Sequence, residues 1–244
     1  MQHDQFETLQ NSVVLPQREG LFKLGTDAMV LADFARPSRG AAVCDLCAGS
    51  GALSLLLLAR DPSLRVTAVE LQAAPCAVME QAAVENGFRD RLSVLQGDLR
   101  EVRGLLPAGS FRHVVCNPPY FPVGGGYVPE NRALAIARTE LCCTLADVCA
   151  AAGWLLKTGG CLWIVHLPGR LADLFCCLRE AGLEPKGLRL VCPKPGAVPS
   201  LVLVKAVRGG RPDLKWYEPL VLANPDGSPT EEYLRIYHMR EGKN

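Results

Sequence analysis

The sequence predicts a doubly wound α/β sheet, mostly parallel, with an antiparallel hairpin at one edge. Three observations carry that prediction. From Ala41 onward, short strand-like runs alternate with helical stretches through short connections, the pattern of parallel strands joined by covering helices. The candidate ligand motifs all stand just after predicted strands, where sheets of this kind bind their ligands. Near the C-terminus, two strands follow each other through a Pro-rich connection with no helix between them, which calls for antiparallel pairing.

Taken in order, Ala41 to Leu46 (AAVCDL) is an apolar run ending at a Gly-rich turn, and Ala52 to Arg60 reads as a helix stopped at Asp61-Pro62. Arg65 to Glu70 is β-branched and strand-like. Ala73 to Asn86 reads as a helix, with Pro75 in its first turn and Gly87 as its stop. Leu92 to Leu95 and Phe111 to Cys116 are further strands, the second ending at Asn117-Pro118-Pro119-Tyr120. A Gly- and Pro-rich loop is expected from Phe121 to about Asn131, then a helix over Thr139 to Ala152, with Gly159-Gly160 closing that unit. Cys161 to His166 is a strand, and Arg170 to Ala181 a helix followed by Gly182. Gly187 to Cys192 and Leu201 to Val207 form the edge hairpin. Ser228-Pro229-Thr230-Glu231 reads as a capping box with Pro at the first helical position, opening a helix to about His238. No linker divides the chain, so residues 1–244 are expected to form one domain: an N-terminal segment over 1–40, a core over 41–207 and a C-terminal extension over 208–244.

Composition narrows the class. At 244 residues, with 49% apolar and 21% charged side chains, the chain can fill a substantial core and is not disordered. Eleven cysteines, an odd number with adjacent pairs at Cys142-Cys143 and Cys176-Cys177, do not read as a secreted disulfide framework. The polar start is expected to carry no signal peptide, and no apolar run, Leu53 to Ala59 included, is long enough for a membrane span. A reducing cytoplasm is therefore expected, with most cysteines acting as small buried hydrophobes. Cys44 and Cys47 form a C-x-x-C, but no second pair and no spaced histidines complete a metal site, so they read as a strand residue and a loop residue.

The turn Asp45-Leu46-Cys47-Ala48-Gly49-Ser50-Gly51 follows the first strand. Gly49 and Gly51 permit a tight turn and close backbone approach to a ligand. It is neither a phosphate P-loop, since no G-K-[ST] follows, nor a nicotinamide fingerprint, since the first and third glycines of G-x-G-x-x-G are absent. Asp45 at the end of its strand can accept from an ammonium. Glu70 ends the second strand and can bind both hydroxyls of a ribose. Asp98, followed by Leu99 after the third strand, can accept from an adenine amino group. Asn117-Pro118-Pro119-Tyr120 is the most specific feature. Its prolines set the backbone and expose carbonyls without competing N–H groups. The Asn117 side-chain oxygen and the Pro118 carbonyl can then accept hydrogens from one planar NH₂ group. Two acceptors favour the pyramidal, nucleophilic nitrogen most strongly near the transition state, and Tyr120 offers a face on which a base can stack.

This constellation resembles the class I S-adenosylmethionine-dependent methyltransferases, whose sheet is Rossmann-like, and within them the amino-methyltransferases with an N-P-P-Y motif. Gly20-Leu21-Phe22-Lys23-Leu24-Gly25-Thr26-Asp27-Ala28, Ala137-Arg138-Thr139-Glu140 and the tail from Pro219-Leu220-Val221 to Ile236-Tyr237 are similar to bacterial tRNA adenine-N6 methyltransferases that modify valine tRNA. The resemblance implies S-adenosylmethionine as cofactor and an anticodon-loop adenine of tRNA as acceptor. The cofactor residues it implies are Lys23, Thr26, Asp45, Cys47, Ala48, Gly49, Gly51, Glu70, Leu71, Asp98, Leu99 and Asn117, with residues 1–40 covering the cofactor. Asn117, Pro118, Pro119 and Tyr120 become the catalytic set. The alternatives are an rRNA or protein-glutamine amino-methyltransferase, or a non-catalytic protein that only binds the cofactor.

Charge gives one further expectation. Net charge is +1, but residues 151–244 hold 13 basic and 9 acidic side chains, against 13 and 16 before them. Lys186, Arg189, Lys194, Lys205, Arg208, Arg211 and Lys215 fall in one stretch whose only acid is Asp213. They are expected to contact the RNA backbone. The competing reading is a solvated sheet edge whose cations guard against aggregation.

Overall fold

The computed structural model of the chain describes residues 5–8, 13–17, 25–121, 135–137 and 139–237. Strands β1 (Gln5–Thr8) and β2 (Val14–Gln17) pair antiparallel as a small ribbon. Then follow α1 (Thr26–Phe34), β3 (Ala42–Leu46), α2 (Ala52–Arg60), β4 (Arg65–Glu70), α3 (Ala73–Glu85), β5 (Leu92–Gln96), α4 (Val102–Leu105), β6 (Phe111–Cys116), α5 (Leu145–Leu155) and β7 (Leu156–His166). The chain continues through α6 (Leu171–Glu180), β8 (Leu183–Cys192), β9 (Leu201–Arg208), β10 (Lys215–Trp216), β11 (Leu220–Val221) and α7 (Glu231–Ile236).

The main sheet has the order β10-β8-β9-β7-β6-β3-β4-β5, with β11 also on β8. β5, β4, β3, β6 and β7 are mutually parallel, and β9 runs antiparallel between β7 and β8. The chain enters the sheet in the middle, winds outward through β4 and β5, and returns to β6 on the other side of β3. The strand order therefore reverses between β3 and β6, which opens a crevice beyond their carboxyl ends.

Strand periodicity sends alternate residues to opposite layers. Val43 joins the core formed with α1, α2 and α3, while Cys44 and Leu46 join the core formed with α5 and α6. Helix α2 is enclosed: all its residues from Ala52 to Leu58 are buried, with Ser54 the one polar side chain among them. Each fully buried leucine there contributes about 1.5–3 kcal/mol. Asn86, the C-cap of α3, both donates to Val14 O and accepts from Val14 N at 2.7 Å, which pins the ribbon to the sheet domain.

Four expectations are corrected. The helix predicted over Thr139 to Ala152 begins only at Leu145, where Thr144 caps it by accepting the Asp147 N–H and the Asp147 side chain answers the Thr144 N–H. Thr139 instead bridges Phe121. Gly159-Gly160 lie inside β7 rather than ending a unit; a Cβ on Gly160 would stand 2.9 Å from the Arg112 carbonyl, so glycine there reflects close backbone approach at an irregularity in β6. The hairpin of β8 and β9 is antiparallel as predicted, but β10 and β11 add in parallel to β8 and cover its outer edge. The cap of the last helix is Thr230, accepting from Tyr233 N, and not Ser228.

Candidate active site

The glycine turn after β3 is held from three sides. Asp45 points inward, almost wholly buried, and accepts from Ser54 Oγ of α2 at 2.6 Å. Burial pushes its carboxyl up to about 7, although the Ser54 hydrogen bonds oppose the rise. Ala48 N donates to Val69 O of the neighbouring strand. Gly49 N donates to Glu70 Oε2 at 2.9 Å. Cys47 takes the left-handed conformation at φ 58, alone among the non-glycine described residues. Gly51 has φ 86, and a Cβ on it would meet Met79 Cγ at 2.5 Å, so this glycine also lets α2 start against α3.

Two acids form the next wall. Glu70 is buried, and its Oε1 accepts the Gln72 N–H at 2.9 Å. Desolvation raises its carboxyl above the usual range, against the pull of these backbone donors. Asp98 differs: it accepts Arg100 N at 2.9 Å and pairs with the Arg100 guanidinium at 2.5–3.0 Å, and that hydrogen bonding holds its carboxyl below the usual value. Arg100 was not singled out in the sequence, because an i,i+2 partner across a turn leaves no periodic signal.

The third wall follows β6. Tyr120 Oη lies 2.6 Å from the Asn117 side chain and 2.9 Å from Asp27 Oδ2, which comes from the first turn of α1. The Tyr120 ring packs edgewise on His166 at 5.4 Å. His166 Nδ1 accepts the Leu167 N–H, and burial pushes this imidazole down to about 4. Glu140, five residues before the start of α5, lies 3.3 Å from Arg170.

These walls enclose one cavity of about 310 Å³, lined by Asp45, Cys47, Ala48, Gly49, Glu70, Leu71, Asp98, Leu99 and Asn117 to Tyr120. That volume lies in the range of small-molecule sites. Thus three strand ends bring the predicted cofactor set to the same space as the predicted catalytic set. Thr26 and Gly51 stand just outside the lining, and Lys23 and Arg138 lie outside the described residues. The lining also includes Asp27, Pro75, Cys142 and Cys143. Asp27, Cys142 and Cys143 carry no sequence signal as cavity residues, because packing and not a local motif brings them there. The donor set fits S-adenosylmethionine: buried Glu70 beside open backbone at Gly49 suits a ribose diol, and Asp98 suits an adenine amino group.

The basic stretch is not brought to the cavity as a unit. β8 runs the same way as β7, so the Pro193–Ser200 connection, with exposed Lys194, lies at the cavity end of the sheet. Lys186, Arg208, Arg211 and Lys215 lie towards the opposite end. Arg208 donates to the Leu156 and Trp154 carbonyls, and Arg189 pairs with Glu232 at 2.7 Å. Lys186 donates to Arg211 O, Lys215 lies over the Tyr217 ring, and Lys205 over Trp163.

Among the described residues, no group of three or more His, Cys, Asp or Glu could hold a metal ion, and no helix is long and apolar enough to cross a membrane. A tRNA1(Val) (adenine(37)-N6)-methyltransferase of Aeromonas hydrophila is 28% identical over 88% of this chain and 88% of that protein. One of the same name from Shewanella sp. (strain MR-4) is 33% identical over 46% of this chain and 48% of its own length. Among solved structures, a protein of Agrobacterium tumefaciens described as a predicted O-methyltransferase superposes with a TM-score of 0.73 at 24% identity, over 89% of this chain and 98% of that one. TrmN from Thermus thermophilus gives 0.53 at 22% identity, over 74% and 48%. These two likenesses concern the fold. The model of the methyltransferase small domain matches residues 22–170, more than half of the chain and every wall of the cavity, and the chain belongs to that family.

Proposed function

We propose that the protein is an S-adenosylmethionine-dependent N-methyltransferase acting on the N6 amino group of an adenine in a tRNA anticodon loop. The observation that carries this reading is the arrangement of Asn117-Pro118-Pro119-Tyr120 on the wall of the cavity that Glu70 and Asp98 also line. The names of the relatives support the acceptor, and the eleven free thiols accord with a reducing, cytoplasmic setting.

When bound, S-adenosylmethionine supplies an electrophilic methyl group on a sulfonium. The residues of the chain do the rest. Glu70 would hold the ribose and Asp98 the adenine end, while Asp45, once it loses the proton that burial favours, would set a negative charge near the cationic cofactor. Asn117 Oδ1 and the Pro118 carbonyl would each accept a hydrogen from the acceptor NH₂, aiming its lone pair at the methyl carbon. Held in this way by Asn117 and Pro118, the acceptor nitrogen would need no strong base on the protein, since its amino proton could leave to solvent once the methyl group is transferred. Holding nitrogen and carbon in line is worth several kcal/mol, up to about 7–11 kcal/mol in the best-oriented cases. A small enzyme can reach an anticodon-loop base because such bases are already unstacked or easily unstacked. For the RNA backbone, Lys194 is the best-placed member of the basic stretch, being exposed at the cavity end of the sheet; Lys186, Arg211 and Lys215 would serve only an RNA that wraps the far end.

The deciding experiment offers methyl-labelled cofactor to total tRNA, rRNA, DNA and release factor in parallel and digests the labelled product. Label recovered as N6-methyladenosine from tRNA is expected. Label in guanine or in a protein glutamine overturns the acceptor, and no transfer to any of them overturns the enzymatic reading.

A further inference from the structure

Tyr120 Oη carries one hydrogen, yet it stands within hydrogen-bonding distance of two oxygen positions, Asp27 Oδ2 at 2.9 Å and the Asn117 amide at 2.6 Å. Both cannot accept from it. Asp27 is buried, and its other oxygen accepts the Ala28 N–H at 2.8 Å at the start of α1. A carboxylate in that position acts as an acceptor, and it takes the Tyr120 hydrogen. The hydroxyl oxygen is then left with lone pairs only, so Asn117 must present its NH₂ to it. Oxygen and nitrogen of an amide occupy interchangeable positions, and the hydrogen-bond network decides between them.

We propose that Asp27 is a positioning residue for methyl transfer: through the Tyr120 hydroxyl it fixes the amide of Asn117 with Nδ2 turned inward and Oδ1 turned into the cavity. With the amide turned over in this way, the chain of donors would run Asn117 Nδ2 to Tyr120 Oη to Asp27 Oδ2, across the same 2.6 and 2.9 Å separations. Without it, the amide can turn over and offer an N–H to the amino group it should accept from, and the reactive orientation is lost. The Tyr120 hydroxyl thereby gains a role separate from its ring. The anchor itself is tied to the C-terminal extension, since Tyr237 Oη donates to Thr26 Oγ1 at 3.3 Å and Arg235 pairs with Asp33 of α1 at 3.1 Å.

The inference rests on the amino-methyltransfer reading, and the test separates the two. Turnover of an unmodified valine tRNA transcript by the parent enzyme reports on the reaction. A double-mutant cycle of Asp27→Asn and Tyr120→Phe reports on the relay. Each single variant is expected to lower kcat by on the order of 10- to 100-fold, with KM for the RNA and Kd for the cofactor within about 3-fold of the parent. The double variant should be no slower than the slower single variant. Multiplying losses, or a loss carried wholly by KM or by cofactor Kd, overturns the relay. Should Asp27→Asn not fold, by circular dichroism, Tyr120→Phe decides alone: it keeps the ring, and parental kcat in that variant overturns the proposal.

Discussion

Glu70 Oε2 accepts the backbone N–H of Gly49 at 2.9 Å, so the acid that ends β4 also clamps the glycine turn that follows β3. One carboxylate thus shapes the pocket floor and faces the ligand. Replacing Glu70 with Ala strands the N–H groups of Gly49 and Gln72, each costing about 1–3 kcal/mol if no water reaches it. Cofactor affinity should fall at least about 10-fold, and Tm by roughly 2–4 °C per kcal/mol lost. Calorimetric titration and thermal unfolding check this; parental values for both would refute the clamp.

Asn117 makes its contact through its side chain to Tyr120 and lines the cavity without supporting a strand. Asn117→Ala should therefore cut kcat by about 10²–10³, the usual loss for one preorganised transition-state contact. Cofactor affinity should stay within a few-fold. Single-turnover methylation beside equilibrium cofactor binding measures both, and undiminished transfer would remove Asn117 from the mechanism.

Asp45 gives a signed pH effect. Its carboxyl is raised by burial from 3.8 to about 7 in the folded protein, so folding retains a proton that the unfolded chain releases. This group's contribution to stability therefore declines as pH rises from about 4 to 7 and is flat above. Asp45→Asn removes that decline: relative to the parent, the variant's urea midpoint should be higher at pH 8 than at pH 5. Equal differences at the two values would mean that Asp45 is not buried as described.

His166 works in the opposite direction. Burial lowers it from 6.5 to about 4, so the unfolded chain takes up a proton that the folded protein refuses. Stability from this source is full above pH 6.5 and is lost as pH falls towards 4. His166→Gln should flatten the acid side of the stability profile. Because the ring supports Tyr120, the same variant should slow transfer several-fold at pH 8, where protonation plays no part.

For the RNA, Lys194→Glu should weaken tRNA binding more than Arg211→Glu, since only the first lies at the cavity end of the sheet. Loss of one phosphate contact also lowers the salt slope by roughly one unit. Binding curves at three salt concentrations settle the order, and an equal effect of the two reversals would place the RNA across the far end as well.

The sequence by itself determined the strand and helix alternation, the parallel core and the residues of the cavity floor. Each of these is a local signal: β-branched runs, glycine turns and acids sit next to one another along the chain. Even the glycine turn survived Cys47, which adopts the left-handed backbone that the turn demands. Only the tertiary structure decided what lies far apart in the chain but close in space. It brought Asp27 to Tyr120 across 93 positions, and it separated Lys194 from Arg211 within one basic stretch by sending β9 back antiparallel between them. It also moved two helix starts, because Thr144 and Thr230 find N–H groups to cap where the expected positions do not. Such pairings follow from strand order and packing, which no short window of sequence contains.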